Sequence, residues 1–386
     1  MKIAMIGQKG IPALYGGIER HVEELSAELV KQGHEVFVYA RDWYTPKNIN
    51  RYRGANIIHT PTFKTKHLDA IVHTFMSTWH AIFVVKPDVI HYHGVGPSLL
   101  SWIPRVFAPR IKVISTFHCI DRYHQKWGAI ARWALALGEK AACAFPHETI
   151  AVSKTIQNYC LNEYHKITTY NPNGVNVESN PGDKYLDKWN LEAKKYFLMV
   201  SRLVRHKGAH YLIDAWQRAK KDSPELLADK KLVIVGGSSF TDDYVRLLHK
   251  MAIGDSSIVF TDWQNGEVLN SLYANCLMLV HPSENEGLPI TVLQAMSFGR
   301  PALVSDIPEH QEVITDYRFW SANASIFSLS KKIIELAGDT KLLEEAGKKN
   351  LAIVKNHYDW RDIAERTNAV YENNSETIGE RLTETA

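Results

Sequence analysis

Cysteine is scarce. Cys119, Cys143, Cys160 and Cys276 are the four in a chain of 386 residues, and no two are spaced as Cys-x-x-Cys. That leaves no disulfide framework and no spacing for a structural zinc, and it fits a reducing compartment such as the cytoplasm. Long apolar runs are missing as well. No stretch approaches the roughly 18–20 consecutive apolar residues that a membrane-spanning helix needs. The N-terminal "MKIAMIG" is too short an apolar run for a secretion signal and leads into a glycine-rich turn. An integral membrane protein is therefore not expected. No Gly-x-Gly-x-x-Gly with a following acidic residue is present, which argues against a dehydrogenase, and there is no Walker A loop. What remains is an ordinary soluble composition, 45% hydrophobic and 23% charged. The length suits two domains, each with a sizeable core.

The formal charge of +3 conceals an asymmetry. Residues 1–182 carry 20 Lys and Arg against 13 Asp and Glu, a balance of +7 concentrated in residues 51–150. The remainder carries 25 against 29, a balance of −4. A basic first half could face anionic lipid, a phosphorylated acceptor or nucleic acid, or could be scatter over a solvated surface.

The hydrophobic pattern alternates between two periods. "KIAMIG" reads as a strand, and Ile18, Val22, Leu25 and Leu29 follow at helical spacing. Gly33 ends that helix and "EVFVYA" reads as the next strand, which completes one strand–helix–strand unit of a parallel sheet. "NIIHT", "PDVIHYHG", "KVISTFH" and "ETIAVS" continue the series. A second series starts near Tyr196 with "YFLMVSRL", "KLVIVGG", "SIVFTDW", "CLMLVHPS" and "PALVSD". The polar stretch 178–195 marks the boundary, and the last 15 or so residues, acidic and threonine-rich, are expected to fray. Ligands of such sheets sit beyond the carboxyl ends of the strands.

Polar residues gather at those ends. Gly16 and Gly17 precede the first helix, where bare backbone and free N–H groups suit an anion, although a simple tight turn would look the same. Arg202 and Lys207 lie between a strand and a helix in "SRLVRHKG", a pair of cations suited to a diphosphate; Arg205 and His206 between them are expected to face solvent. Glu286 opens "EGLPITVLQAM" at a strand-to-helix turn. Its carboxylate could take sugar hydroxyls while the N–H groups of Gly287, Leu288, Ile290 and Thr291 face phosphate, Pro289 having none. Gln294, about two helical turns further on, could share the cleft and bind a ribose. Glu284 reads as a surface carboxylate. His118 ends a strand of the first half, where it could meet a substrate hydroxyl. His91 and His93 share one strand face, His91 partly buried and His93 lining the cleft, but no third ligand at a convincing spacing supports a metal site.

Together these stretches resemble glycosyltransferase family 4, a group of retaining enzymes. "VSRLVRHKG" is similar to the family's diphosphate-gripping segment. "EGLPITVLQAMSFGRPALVSD" resembles its donor segment, a glutamate with a second glutamate eight positions on. "IAVSKT" and "NPNGVN" resemble its hinge motifs, and "HYDWRDIAERTNAVY" its terminal helix. "GIPALYGGIERHVEEL" is similar to a bacterial rhamnosyltransferase-like subgroup acting on lipid-linked saccharides. The resemblance implies a GT-B fold, α/β, with two Rossmann-like doubly wound domains facing a cleft. An acceptor domain would span 1–180 and a donor domain 190–350, with a terminal helix at 357–374 packing back on the first. It implies that Gly17 faces the donor phosphates, that His118 approaches the donor sugar, and that Arg202 and Lys207 neutralise the diphosphate. Glu286 would hold sugar hydroxyls, Leu288 to Thr291 would give backbone donors, and Gln294, here replacing the second glutamate, would hold the ribose. Trp263 would contact the base, or be a surface tryptophan. No Asp-x-Asp occurs, which argues against the metal-chelating architecture of such enzymes.

The expected function is a retaining, metal-independent glycosyltransferase with no cofactor, its nucleotide-sugar donor being a substrate. The acceptor would be a saccharide, polyprenyl-diphosphate linked, met at the inner face of the cell membrane. "WIPRVFAPRIK" and "WGAIARWALALGEKAACAF" could rest on anionic lipid, or, for 127–145 in particular, pack on the first sheet. No nucleic acid partner is expected. Two rival readings share the architecture: a nucleotide-sugar epimerase, and a non-catalytic nucleotide-sugar-binding protein.

Overall fold

The computed structural model describes residues 1–63, 65, 68–120, 122, 129–239 and 241–372. The expected frayed tail, the last two positions of the expected terminal helix, and residues 127 and 128 of the stretch 127–145 lie outside the described residues.

The chain forms two compact units, one of Met1–Gly174 with the segment from Trp360 onward, the other of Val175–Asp359. In the first unit, β1 (Lys2–Ile6), β2 (Glu35–Arg41), β3 (Arg51–Tyr52), β4 (Ala55–Thr60), β5 (Val89–His93), β6 (Lys112–Phe117), β7 (Glu148–Ala151) and β8 (Thr169–Tyr170) form one sheet. Its order is β3-β4-β2-β1-β5-β6-β7-β8, and only the short β3 runs antiparallel, against β4. In the second unit, β9 (Tyr196–Val200), β10 (Lys231–Val235), β11 (Ile258–Phe260), β12 (Met278–His281), β13 (Ala302–Ser305) and β14 (Trp320–Ser321) form an all-parallel sheet in the order β11-β10-β9-β12-β13-β14. Both sheets grow outward from their first strand, to one side and then the other, which is the doubly wound pattern. The strands read as near-continuous apolar runs because helices bury both faces; β9 is YFLMV and β10 is KLVIV. Each unit has one place where the winding reverses, β1 beside β5 and β9 beside β12.

The helix Trp360–Glu372 completes the first unit's core. Trp360, Ile363, Ala364, Val370 and Tyr371 pack with Ile3, Met5, Val22, Leu25 and Leu29. Polar groups lock the register. The Asn171 side-chain amide donates to Ile363 O at 3.1 Å and Thr367 Oγ1 at 2.9 Å. Lys112 Nζ donates to Val370 O at 2.5 Å and Tyr371 O at 3.1 Å. The helix Ala129–Ala144 divides the two alternatives raised by its sequence. Its later part buries Glu139, Ala141, Ala142 and Cys143, while Arg132, Trp133 and Leu137 stay exposed. Among the described residues no helix is long and apolar enough to cross a membrane.

Trp360 is 2% exposed, and a Cβ on Gly174 would meet its ring at 2.7 Å. Trp360→Ala should therefore cost about 3–5 kcal/mol. Thermal melting followed by near-ultraviolet circular dichroism checks this, and an unchanged melting temperature would show that the helix is not integral to the unit.

Candidate functional site

The second unit gathers its polar side chains where the winding reverses. β9 ends at Val200 and the chain passes through Ser201 and Arg202 into a single 3-10 turn, Arg205–Lys207. Gly208 follows at φ +75°, and a Cβ there would meet Pro282 O at 2.1 Å. Only a glycine lets the helix Ala209–Asp222 start so close to the loop after β12. The two loops are then laced together: His206 O accepts the Glu284 N–H at 2.8 Å and the Ser283 hydroxyl at 3.2 Å. This lacing carries Lys207 to Glu286, with Nζ and Oε1 2.5 Å apart.

Glu286 Oε1 also accepts the Nε2–H of His281, the last residue of β12, at 2.7 Å. The Lys207 side chain is 14% exposed, Glu286 9% and His281 2%. Burial works to raise the Glu286 carboxyl, but the Lys207 ammonium and the His281 hydrogen bond outweigh it and hold the group well below the ordinary carboxylate range. Oε1 thus takes both donors, while Oε2 has no hydrogen-bond partner among the described residues. Behind this pair sits His310, fully buried, its Nδ1 2.9 Å from Ser305 O. Burial and the neighbouring His281 push His310 down to about 3. His281 and His310 carried no sequence signal beyond a strand end and a short helix, and their roles were not foreseen.

The residues that follow Glu286 in the sequence line the same loop and the helix after it. Glu286 precedes the helix Ile290–Ser297 by four residues, so the interval to Gln294 is not two helical turns; the loop residues between are extended and bent. Gly287, Leu288 and Pro289 are buried, and Ile290 and Thr291 begin the helix. A helix leaves its first N–H groups without intrahelical partners, and those of Ile290 and Thr291 have no other partner among the described residues. Gln294 is half-buried, and its amide makes no hydrogen bond among the described residues. Arg202 is half-buried and its guanidinium has no ion-pair partner among them. Arg205 is exposed, whereas His206 is half-buried and its carbonyl holds the lacing. Glu284 is half-buried beside Tyr211, not a free surface carboxylate. Trp263 is 37% exposed, and a Cβ on Gly237 would meet its Nε1 at 2.5 Å, so the indole lies on the turn after β10.

The first unit places its own histidines at its winding reversal. His91 and His93 on β5 are 0% and 1% exposed, so His93 is part of the core rather than an open wall. His118 follows β6 and lies with Nε2 3.2 Å from His93 Nδ1. His21, from the helix Gly17–Lys31, has its ring centroid 4.8 Å from that of His118 and holds Asn173 Oδ1 at 2.9 Å through Nδ1. His91 turns away, bonded to Tyr371 and Thr116 at 2.7 Å each. Burial lowers all four: His21 to about 4, the others well below the ordinary histidine value. Gly16 has φ +106°, and a Cβ there would meet the Glu19 carboxylate, which itself accepts the Lys9 N–H at 3.1 Å. A first-turn carboxylate therefore already lies against the bare backbone of Gly16.

Comparison with known proteins decides what these two reversals belong to. Residues 15–179 match the model described as Glycosyltransferase Family 4, and residues 183–352 match that described as Glycosyl transferases group 1. An uncharacterized glycosyltransferase of Methanocaldococcus jannaschii is 27% identical over 98% of this chain and 100% of its own. The chain is a glycosyltransferase of the GT-B type. The N,N'-diacetylbacillosaminyl-diphospho-undecaprenol α-1,3-N-acetylgalactosaminyltransferase of Campylobacter jejuni is 27% identical over 60% of this chain and 62% of its own. The structure of Anabaena HepE with UDP-glucose superposes with a TM-score of 0.77 at 19% identity, covering 100% of each chain.

Among the described residues, two trios have the donor types of a metal site. One is His281, Glu286 and His310; the other is His21, His93 and His118, and in each the ligand atoms lie within 4.8 Å of one another. The second leaves out His91 and gives His93 two partners from other elements, which sequence spacing did not offer. In both, other partners compete: Lys207 holds Glu286, and His93 Nε2 lies 3.3 Å from Met5 Sδ.

One neighbour of Glu286 gives a pH signature. Glu309 is buried, and burial, with smaller contributions from the charges of Glu286 and Glu312, raises its carboxyl to about 7. A raised carboxyl is stabilising below its unfolded value and loses that stability as pH rises through the folded value. Glu309→Gln should thus match the wild type near pH 4.5 and melt at a higher temperature at pH 8. Melting curves across that range check it, and an equal difference at both pH values would contradict it.

Proposed function

We propose that this glycosyltransferase is retaining and metal-independent, and that it moves a hexosyl or deoxyhexosyl group from a UDP-, dTDP- or GDP-sugar. The acceptor is a saccharide linked to polyprenyl diphosphate, in bacterial cell-surface polysaccharide assembly, and the chain works at the cytoplasmic face of the membrane. The observation that carries this reading is the Glu286 carboxylate. It is ionised, held through Oε1 by Lys207 and His281, and presents Oε2 without a partner at the carboxyl end of β12. An acceptor held this rigidly suits a sugar hydroxyl, and the adjoining donors suit the diphosphate. The HepE complex with UDP-glucose supports a nucleotide-sugar donor, and the Campylobacter jejuni enzyme supports a lipid-linked acceptor.

The chemistry follows from the charges. As the bond from the anomeric carbon to the diphosphate oxygen breaks, negative charge builds on the diphosphate and positive charge on the sugar ring. Lys207 keeps two N–H donors beyond the one it gives Glu286. These, the Arg202 guanidinium and the N–H groups of Ile290 and Thr291 stabilise the leaving diphosphate more in the transition state than before it. Glu286 orients the sugar through its free oxygen. The acceptor hydroxyl oxygen bonds to the anomeric carbon on the face the phosphate leaves, and its proton passes to a phosphate oxygen, which completes the balance without a metal. Trp263, over the turn after β10, stacks on the base. Gln294 accepts one ribose hydroxyl and donates to another, more weakly than a carboxylate would bind the diol. Gly16 and Gly17 allow close approach of backbone, with Glu19 setting the limit on anionic charge there.

Loss of one preorganised donor typically costs about 2.7–4 kcal/mol of barrier. Arg202→Ala, which leaves the Lys207–Glu286 pair intact, and Lys207→Ala should each lower acceptor-dependent nucleotide release by roughly a hundredfold or more. The wild-type rate should be indifferent to EDTA. Near-wild-type turnover in either variant, or loss of activity with EDTA, would contradict the assignment.

A further inference from the structure

The helix Asp69–His80 is inside out, while its π-helical continuation Ala81–Val85 buries the apolar Ala81 and Ile82 in the core and exposes Phe83 and Val84. The positions facing the first unit are polar: His73, Thr74, Ser77 and Thr78 are each 0% exposed. Their hydroxyls are served by neighbours. Ser77 Oγ lies 2.9 Å from Thr60 Oγ1, Thr78 Oγ1 2.9 Å from Tyr92 OH, and Thr74 donates to Ala70 O at 2.7 Å. The outward positions are apolar: Phe75 and Met76, then Phe83 and Val84, with the half-buried Trp79 between them also packed on the core. Phe83 is 63% exposed and Val84 65%. A helix on a water-facing surface carries the reverse pattern.

The apolar face extends onto a second helix, Trp102–Phe107. Trp79 stacks on Phe83 with centroids 5.5 Å apart, touches Phe75 at 6.1 Å and Phe107 at 5.1 Å, and Phe107 reaches Trp102 at 6.5 Å. Val106 beside them is 62% exposed. A contiguous exposed patch of this kind marks an interaction site rather than scattered surface residues. Lys86, Arg105 and Arg110 border it, exposed and without an ion-pair partner among the described residues. Residues 70–120 contain a single acidic residue, Asp88, and it accepts the Lys2 N–H at 2.7 Å.

We infer that this face docks on an anionic lipid bilayer. Aromatic and aliphatic side chains enter the boundary between headgroups and acyl chains, and the three cations lie among lipid phosphates. The unpaired cations, with no carboxylate to answer a basic partner, select a surface of negative charge over a second copy of the same patch. The purpose of such docking rests on the lipid-linked acceptor proposed above; the docking itself is tested apart from it.

The full chain is floated with vesicles of phosphatidylcholine containing phosphatidylglycerol and with phosphatidylcholine alone. The wild type should float with the anionic vesicles and be released by salt. Arg105→Gln and Arg110→Gln should each weaken partitioning about fivefold, the factor for roughly 1 kcal/mol per basic residue. Phe83→Glu with Val84→Glu should abolish flotation, while circular dichroism and nucleotide release to a soluble acceptor stay as in the wild type. A wild type that does not float, or variants that float like it, would overturn the inference. So would a wild-type dimer on gel filtration that becomes monomeric in the double variant with flotation unchanged. Flotation without any nucleotide release would leave the docking face standing and remove the transferase reading; release without flotation would do the opposite.

Discussion

The second unit depends on one buried charge pair. An ionised carboxylate and an ammonium taken out of water lose hydration worth several kcal/mol each, and they repay it only when geometry and further hydrogen bonds are good. Lys207 and Glu286 meet that condition because the backbone around them leaves little choice. Gly208 lets a helix begin against Pro282, the His206 carbonyl binds the Ser283–Glu284 turn, and β12 ends on a histidine whose Nε2–H points at the same oxygen. The consequence is asymmetry within one carboxylate: one oxygen is spent on the protein, the other is offered outward. A carboxylate held in this way is already charged and oriented before a ligand arrives, and the ammonium that holds it is fixed in the same place.

The first unit solves a different problem with neutral groups. Four imidazoles in its core are desolvated until none is charged, and each finds a partner in Asn173, Tyr371, Thr116, Met5 or another histidine. The terminal helix supplies Tyr371 to this network and Trp360 to the apolar core beside His21. A segment distant in sequence is thereby tied to the strand ends by both packing and hydrogen bonds, so its removal would expose polar groups as well as apolar area.

Much of this was legible in the sequence, for specific reasons. The strands announced themselves as apolar runs ending in Gly or polar residues, and the strand-end rule pointed to Arg202, Lys207, Glu286 and His118 before any coordinates. What the sequence concealed came from elsewhere in the chain. His281 and His310 look like ordinary residues until the fold sets them beside Glu286. The partner of His118 includes His21, from a helix nearly a hundred residues earlier. The Glu286–Gln294 interval was read with helical geometry, yet Pro289 and the turn before it delay the helix to Ile290. The inverted helix at 69–80 was missed because periodicity reveals two faces and not which of them is inside; the hydroxyl bonds to Thr60 and Tyr92 decide that.

A crystal structure with a non-reacting nucleotide-sugar analogue would test the central role of Glu286 most directly. The expected density places the diphosphate within hydrogen-bond distance of Lys207 Nζ, Arg202 and the N–H groups of Ile290 and Thr291, with a sugar hydroxyl on Glu286 Oε2. An analogue bound elsewhere, with the Glu286 loop empty and its free oxygen facing solvent, would contradict it.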